Sequence, residues 1–138
     1  MILTGVPSTH VDQLWPYIVP LILRGLAESD GRYKPDDILV DLLTGDKQLW
    51  IEGDDRVTAI CITNIITGPR RKRLTLFLCA GDGVIQRLPE TLPVIEAWAK
   101  EQGCDQAEIV GRREWVRVLA DSGYLEGATI LRKDLPHE

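Results

Sequence analysis

Apolar residues recur at intervals of three and four between Val11 and Leu26, through Leu14, Trp15, Ile18, Val19, Ile22 and Leu23. That is the period of a helix with one face turned to a core. Ser8 and Thr9 precede it as N-cap candidates. Pro16 and Pro20 fall inside it, and each deletes an N–H donor and crowds the turn before it, so a break or kink is expected there. Gly31 ends the segment. A second, shorter helix is expected from Pro35, because proline suits the first position and Asp36 and Asp37 suit the positive end of the dipole. Leu39, Leu42 and Leu43 form its stripe, and Gly45 stops it.

From Gln48 the period shortens to that of strands. Leu49 to Glu52, a turn at Gly53, Asp54 and Asp55, then Arg56 to Thr67, rich in Val, Ile and Thr, predict a hairpin. Gly68 to Lys72 makes the next turn, and Arg73 to Ala80 returns antiparallel. With that turn centred on Arg70, Cys61 and Cys79 face each other across two strands, and a reduced thiol pair is expected. After Gly81, Asp82 and Gly83, the stretch from Val84 to Gly103 is amphipathic. Val94, Ile95, Trp98 and Ala99 lie on one face, with Glu96 and Lys100 four apart on the other. A short strand at Gln106–Val110, a helix at Arg112–Ser122 with Trp115, Val118 and Leu119 inward, and a last strand at Thr129–Lys133 complete the chain, with Gly123 ending the helix. The order predicts an α+β fold, one mostly antiparallel sheet flanked by helices.

Length and composition narrow the class. At 138 residues and 44% hydrophobic, the chain suits a single domain spanning 1–138. A formal charge of -5 argues against a nucleic-acid partner. Three cysteines, at 61, 79 and 104, and two histidines, His10 and His137, imply no disulfide framework and no metal site. No apolar run of about 18 residues is present, so no membrane partner is expected, and a reducing cytoplasmic compartment is. Trp15, Trp50, Trp98 and Trp115 fall on apolar faces, as core residues do.

The candidate chemistry sits between Lys72 and Gly103. Strand, glycine loop and helix in that order place backbone N–H groups at a helix start, where an anion can be held. Gly81 and Gly83 serve either to cradle a phosphate or only to turn the chain. Pro89 leaves two possibilities. If the helix begins near Ile85, the proline falls in the first turn and costs little; if it begins at Pro89, the helix sits a turn and a half from the glycines.

The run from Gln48 to Leu131, with the two N-terminal helices, resembles the GCN5-related N-acetyltransferase (GNAT) family. The resemblance implies a loop patterned Gln/Arg-x-x-Gly-x-Gly/Ala that holds the pyrophosphate of acetyl-CoA. It also implies metal-free attack of an amine on the thioester. Placing Gly83 on the middle glycine sets Ala80 at the Gln/Arg position and Ile85 at the last; the alternative register uses Gly81 and Gly83 with Leu78 at the polar position. In both, the first side chain cannot donate a hydrogen bond, and Asp82 brings a negative charge toward a phosphate. The cofactor-binding candidates are Cys79, Ala80, Gly81, Asp82, Gly83, Val84 and Ile85.

Counting back from Gly123 and Tyr124, which stand where the family ends a helix in Gly-Phe, Arg112 takes the family's asparagine position, Trp115 its alanine and Leu119 its tyrosine. Leucine cannot protonate a thiolate. Glu108 and Glu114 are candidate bases, or solvated carboxylates; Tyr33 and Tyr124 are the remaining candidate proton donors. Arg112 and Arg113 are read first as surface charge, though they could bind an anionic CoA or partner, and His10 is read as a surface residue. The basic run from Arg70 to Arg73 could meet the 3'-phosphate of CoA or an acidic protein, or be a solvated turn. The layout is also similar to small GNAT-like proteins of phage and prophage genomes. The resemblance therefore implies a GNAT-like domain with a degraded acyl-CoA site and at most weak acetyl transfer. The alternative is a non-catalytic interaction module or virion component.

Overall fold

The strands of the computed structural model, which describes residues 3–27, 31–111 and 113–136, follow one another across a single sheet. They are β1 (Leu3–Val6), β2 (Gln48–Glu52), β3 (Ala59–Thr67), β4 (Lys72–Gly81) and β5 (Gln106–Ile109). The first four pair antiparallel; β4 and β5 pair parallel, which requires the helical crossover between them. The helices are α1 (Val11–Leu26), α2 (Pro35–Thr44), α3 (Leu88–Glu101) and α4 (Glu114–Leu119), with short 3-10 turns at Ser8–His10 and Ala120–Ser122.

The sheet buries both faces. On one, Ile18 and Ile22 of α1 and Ile38 and Leu42 of α2 pack over Leu49, Ile60, Ile62, Leu78 and Ala80. On the other, Leu88, Leu92, Ile95 and Ala99 of α3 and Leu119 of α4 cover Trp50, Ala59, Cys61, Leu74 and Leu76. Leu74 and Leu76 thus face opposite ways from Leu78 and Ala80, although all four have the same parity in the chain. The pairing explains this: Ile62 opposes Leu78 and Thr63 opposes Leu76, leaving Phe77 as an extra residue in β4. A bulge of this kind reverses the alternation and bends the strand.

Pro16 and Pro20 do not break α1, which is continuous. Both prolines lie on its exposed side, four residues apart, so the carbonyls they free lie near water while the buried stripe stays intact. At Gly25 a Cβ would stand 2.7 Å from Leu78 Cγ, a measure of how closely α1 approaches β4. Pro35 opens α2 and Gly45, at φ 88°, closes it.

Other expectations are corrected. The strand at Thr129–Lys133 does not form: residues 124–136 have no regular structure, and Leu131 is 91% exposed. The sheet instead takes its additional strand from Leu3–Val6, where only two of four residues face inward and no period shows. The last helix is six residues long, not eleven, and Arg112 lies outside the described residues. Val94 is 48% exposed, because the buried stripe of α3 runs Leu88, Leu92, Ile95 and Ala99. His137 is also outside the described residues.

Candidate functional site

Strands β4 and β5 pair from Arg73 opposite Gln106 to Leu76 opposite Ile109, and there the ladder stops. Among the described residues β4 continues to Gly81 bonded only to β3, while the chain leaves β5 through Val110 and Gly111. The gap therefore opens at Phe77, the bulged residue. Main-chain groups of Phe77–Gly81 on that side have no ladder partner among the described residues, and an extended ligand bearing amides can pair with such groups.

At the end of the gap β4 enters a loop. Gly81 has φ 126°, and a Cβ there would lie 2.5 Å from Ala59 Cα and from the Thr58 carbonyl oxygen, so only glycine fits. Residues 82–87 are turns, and α3 starts at Leu88 with Pro89 in its first turn. The helix start is thus nearer the later of the two expected positions. The loop nevertheless prefigures the helix: Val84 N–H donates to the Gly81 carbonyl at 3.3 Å and Arg87 N–H to the Gly83 carbonyl at 3.2 Å. The N–H groups of Gly83, Ile85 and Gln86 have no main-chain acceptor among the described residues.

The charges of this loop are already engaged. Asp82 accepts a hydrogen bond from Arg24 of α1 at 3.1 Å, both side chains being exposed. Arg87, which the sequence analysis did not single out, donates through Nε to Glu52 Oε1 at 2.7 Å, and its Nη2 meets the same oxygen. Glu52 is 2% exposed on β2. Nη1 of Arg87 also lies 2.6 Å from where a Gly83 Cβ would be, so the guanidinium braces the loop from beneath. The signal for this pair was a charged residue, Glu52, two positions after Trp50 on the buried side of a strand; a carboxylate there needs a cation.

The remaining candidates are dispersed. Cys79, Ala80 and Gly81 belong to β4; Leu78 and Ala80, the residues of the two polar-position registers, are buried under α1. Val84 is buried toward α3, and Asp82, Gly83 and Ile85 lie in the turns. Glu108 sits on β5 opposite Thr75 and pairs with Arg73 at 3.4 Å. Glu114 begins α4, exposed. The Tyr124 hydroxyl donates to Glu96 Oε2 of α3 at 2.5 Å. Burial, then this bond and the Glu96 charge, push the phenol well above its ordinary range. His10 is exposed at the start of α1.

Cys61 and Cys79 are opposed, with Sγ atoms 3.2 Å apart and both free. The bond to Cys61 and burial raise the Cys79 thiol well above the usual value. The basic run Arg70–Arg73 lies at the opposite end of β4 from Gly81, about 30 Å away at roughly 3.3 Å per residue, too far for one CoA phosphate group to meet both. No cluster of three potential metal ligands occurs among the described residues, and no helix among them is long and apolar enough to cross a membrane.

No protein-family model matches the sequence, and no curated protein does. Solved structures do match. A probable acetyltransferase superposes with TM-score 0.71 at 14% identity, over 100% of this chain and 99% of that one. A predicted acetyltransferase from Clostridium acetobutylicum, solved with acetyl-CoA, gives 0.66 at 12% identity over 96% and 95%. The fold is that of the GNAT N-acyltransferases. An aminoglycoside acetyltransferase from an uncultured soil metagenomic sample, in complex with sisomicin, also matches, with TM-score 0.71 at 9% identity over 98% and 96%. Leu119, which the sequence resemblance sets at the family's tyrosine position, is 3% exposed in the core under α3, and the Tyr124 hydroxyl is bonded to Glu96.

Proposed function

We propose that this GNAT-fold chain engages an acyl-CoA mainly through its main chain, with a degraded grip and at most weak acetyl-CoA-dependent N-acetyltransferase activity. The observation that carries the reading is the gap opening at Phe77 above a loop whose one cation, Arg87, is committed to buried Glu52. Main-chain groups of Cys79–Ile85 are the contacts left for an acyl-CoA.

The electrostatics weaken the grip only slightly. A like charge about 5 Å from Asp82 costs under about 1 kcal/mol, because that side chain is 98% exposed and meets nearly the dielectric of water. Arg24 offsets part of that, but so exposed a pair contributes little, about 0–1 kcal/mol. With leucine at position 119, loss of proton transfer lowers the rate about 10² to 10⁴ without abolishing turnover. Glu108, Glu114 and Tyr124 remain candidates for proton handling.

A thermal-shift titration with acetyl-CoA and CoA tests the reading, since a ligand of the folded state raises Tm by mass action. Gly83→Val should remove the shift. A second reading, a non-catalytic interaction module such as a virion component, draws on the exposed apolar tail, with Leu125 and Leu131 each 91% exposed and Leu135 73%. Fast acetyl-CoA turnover on any amine eliminates that reading. Phage origin, and with it a host-cytoplasmic or virion location, is a further part of the proposal, and flanking tail or capsid genes would test it.

A further inference from the structure

Lys47, immediately before β2, is 9% exposed, a rare setting for a lysine. Its Nζ donates to Asp41 Oδ2 of α2 at 2.9 Å. It also lies 4.7 Å from the centre of the Phe77 ring and 5.3 Å from that of Tyr33, and the two rings meet edge to face at 4.8 Å. A carboxylate and two aromatic rings make a box for a primary ammonium. Phe77 is the residue at which β4 and β5 part. The amine of this chain thus stands against the side chain that marks the opening of the gap.

We infer that Lys47 is an acylation site, taking an acyl group in cis from a thioester seated between β4 and β5. The inference rests on the reading that the gap admits a thioester, and it supplies that reading with an acceptor. In the transfer the Lys47 nitrogen, after losing a proton to solvent, attacks the thioester carbonyl carbon. The C–N bond forms, the C–S bond breaks, and the thiolate leaves with the electron pair. Of the three ammonium protons, one stays on the amide, one ends on the thiol and one goes to solvent. Asp41 holds the nitrogen in place, acting as a positioning residue. Fixed proximity compensates for a weak hold on the donor, because a tethered amine reacts at high effective concentration.

The test sets reactivity against exposure. The intact protein is incubated with acetyl-CoA and, separately, with the acetyl thioester of N-acetylcysteamine, which lacks the diphosphate. Peptide mass spectrometry follows acetylation of Lys47 against the exposed Lys34 and Lys100. An acceptor site makes Lys47 the fastest of the three, by about tenfold or more with at least one thioester. Asp41→Asn should narrow that lead, and in Lys47→Arg the corresponding mass gain should vanish. A purely structural lysine, being buried, would be the slowest of the three with both thioesters, and that result overturns the inference. A thermal shift with acetyl-CoA but no Lys47 acetylation leaves the acyl-CoA reading standing and removes this one. Lys47 acetylated by the small thioester alone, with no shift from acetyl-CoA, does the reverse.

Discussion

Arg87→Met removes the cation paired with a carboxylate that is 2% exposed, and it should be the most damaging single change to the loop. Breaking a buried ion pair from one side typically costs about 3–5 kcal/mol, because the remaining charge is left without water or partner. For a chain of 138 residues, each kcal/mol moves Tm by roughly 3–5 °C, so a fall of about 10–20 °C is expected. Glu52→Gln should cost less, since the Arg87 side chain is 26% exposed and its guanidinium can turn toward solvent. Pairing Glu52→Leu with Arg87→Met should return stability to within about 1 kcal/mol of the parent, as buried pairs often do when replaced by apolar groups. Urea unfolding monitored by tryptophan fluorescence measures all four species, with an unchanged slope expected. If Arg87→Met loses less than about 1 kcal/mol, or the double variant is no better than Arg87→Met, the guanidinium is not a brace. It would then be free for a ligand, and the account of a degraded loop would lose its main support.

Gly25→Ala should destabilise by about 1–3 kcal/mol despite its better helix propensity, because the added Cβ meets Leu78 at 2.7–2.8 Å; chemical denaturation checks the sign. Gly81→Ala should be far worse than Gly83→Ala. The first drives a Cβ into backbone atoms of Thr58 and Ala59, whereas the second meets only the tip of Arg87, and comparative melting ranks them. The Tyr124 phenol holds its proton more tightly in the folded chain than in the unfolded one, so its contribution is complete below about pH 10 and is lost as pH rises further. Tyr124→Phe should therefore flatten the alkaline decline of Tm, and an unchanged decline would contradict this.

What the sequence made legible was local. Pro35 and Gly45 bracket α2 because a fixed φ and a left-handed φ are properties of single residues. Cys61 does stand opposite Cys79, but not through the turn alone: the turn pairs Thr67 with Lys72 and Thr63 with Leu76, a register that would set Cys61 against Leu78, and the extra residue in β4 moves the pairing on by one. The bulge at Phe77 was invisible, since Leu74, Leu76, Leu78 and Ala80 alternate without a fault and only pairing with β3 reveals the reversal. Thr129–Lys133 shows the converse: strand propensity without a partner strand leaves no strand. In the candidate site, the glycine loop was apparent, but Glu52 and Arg87 are 35 residues apart, and Lys47 and Phe77 come together only through the sheet. Such contacts depend on tertiary packing, which no local pattern encodes.

The central claim is a gap that can admit an acyl-CoA above a loop that has no free cation to hold it, and calorimetric titration with acetyl-CoA tests it most directly. The account predicts a saturable interaction with a Kd near the millimolar range, giving only about 0.4 kcal/mol of added stability when ligand equals Kd. A micromolar Kd, with stabilisation of about 4 kcal/mol at a thousandfold excess over Kd, would contradict it.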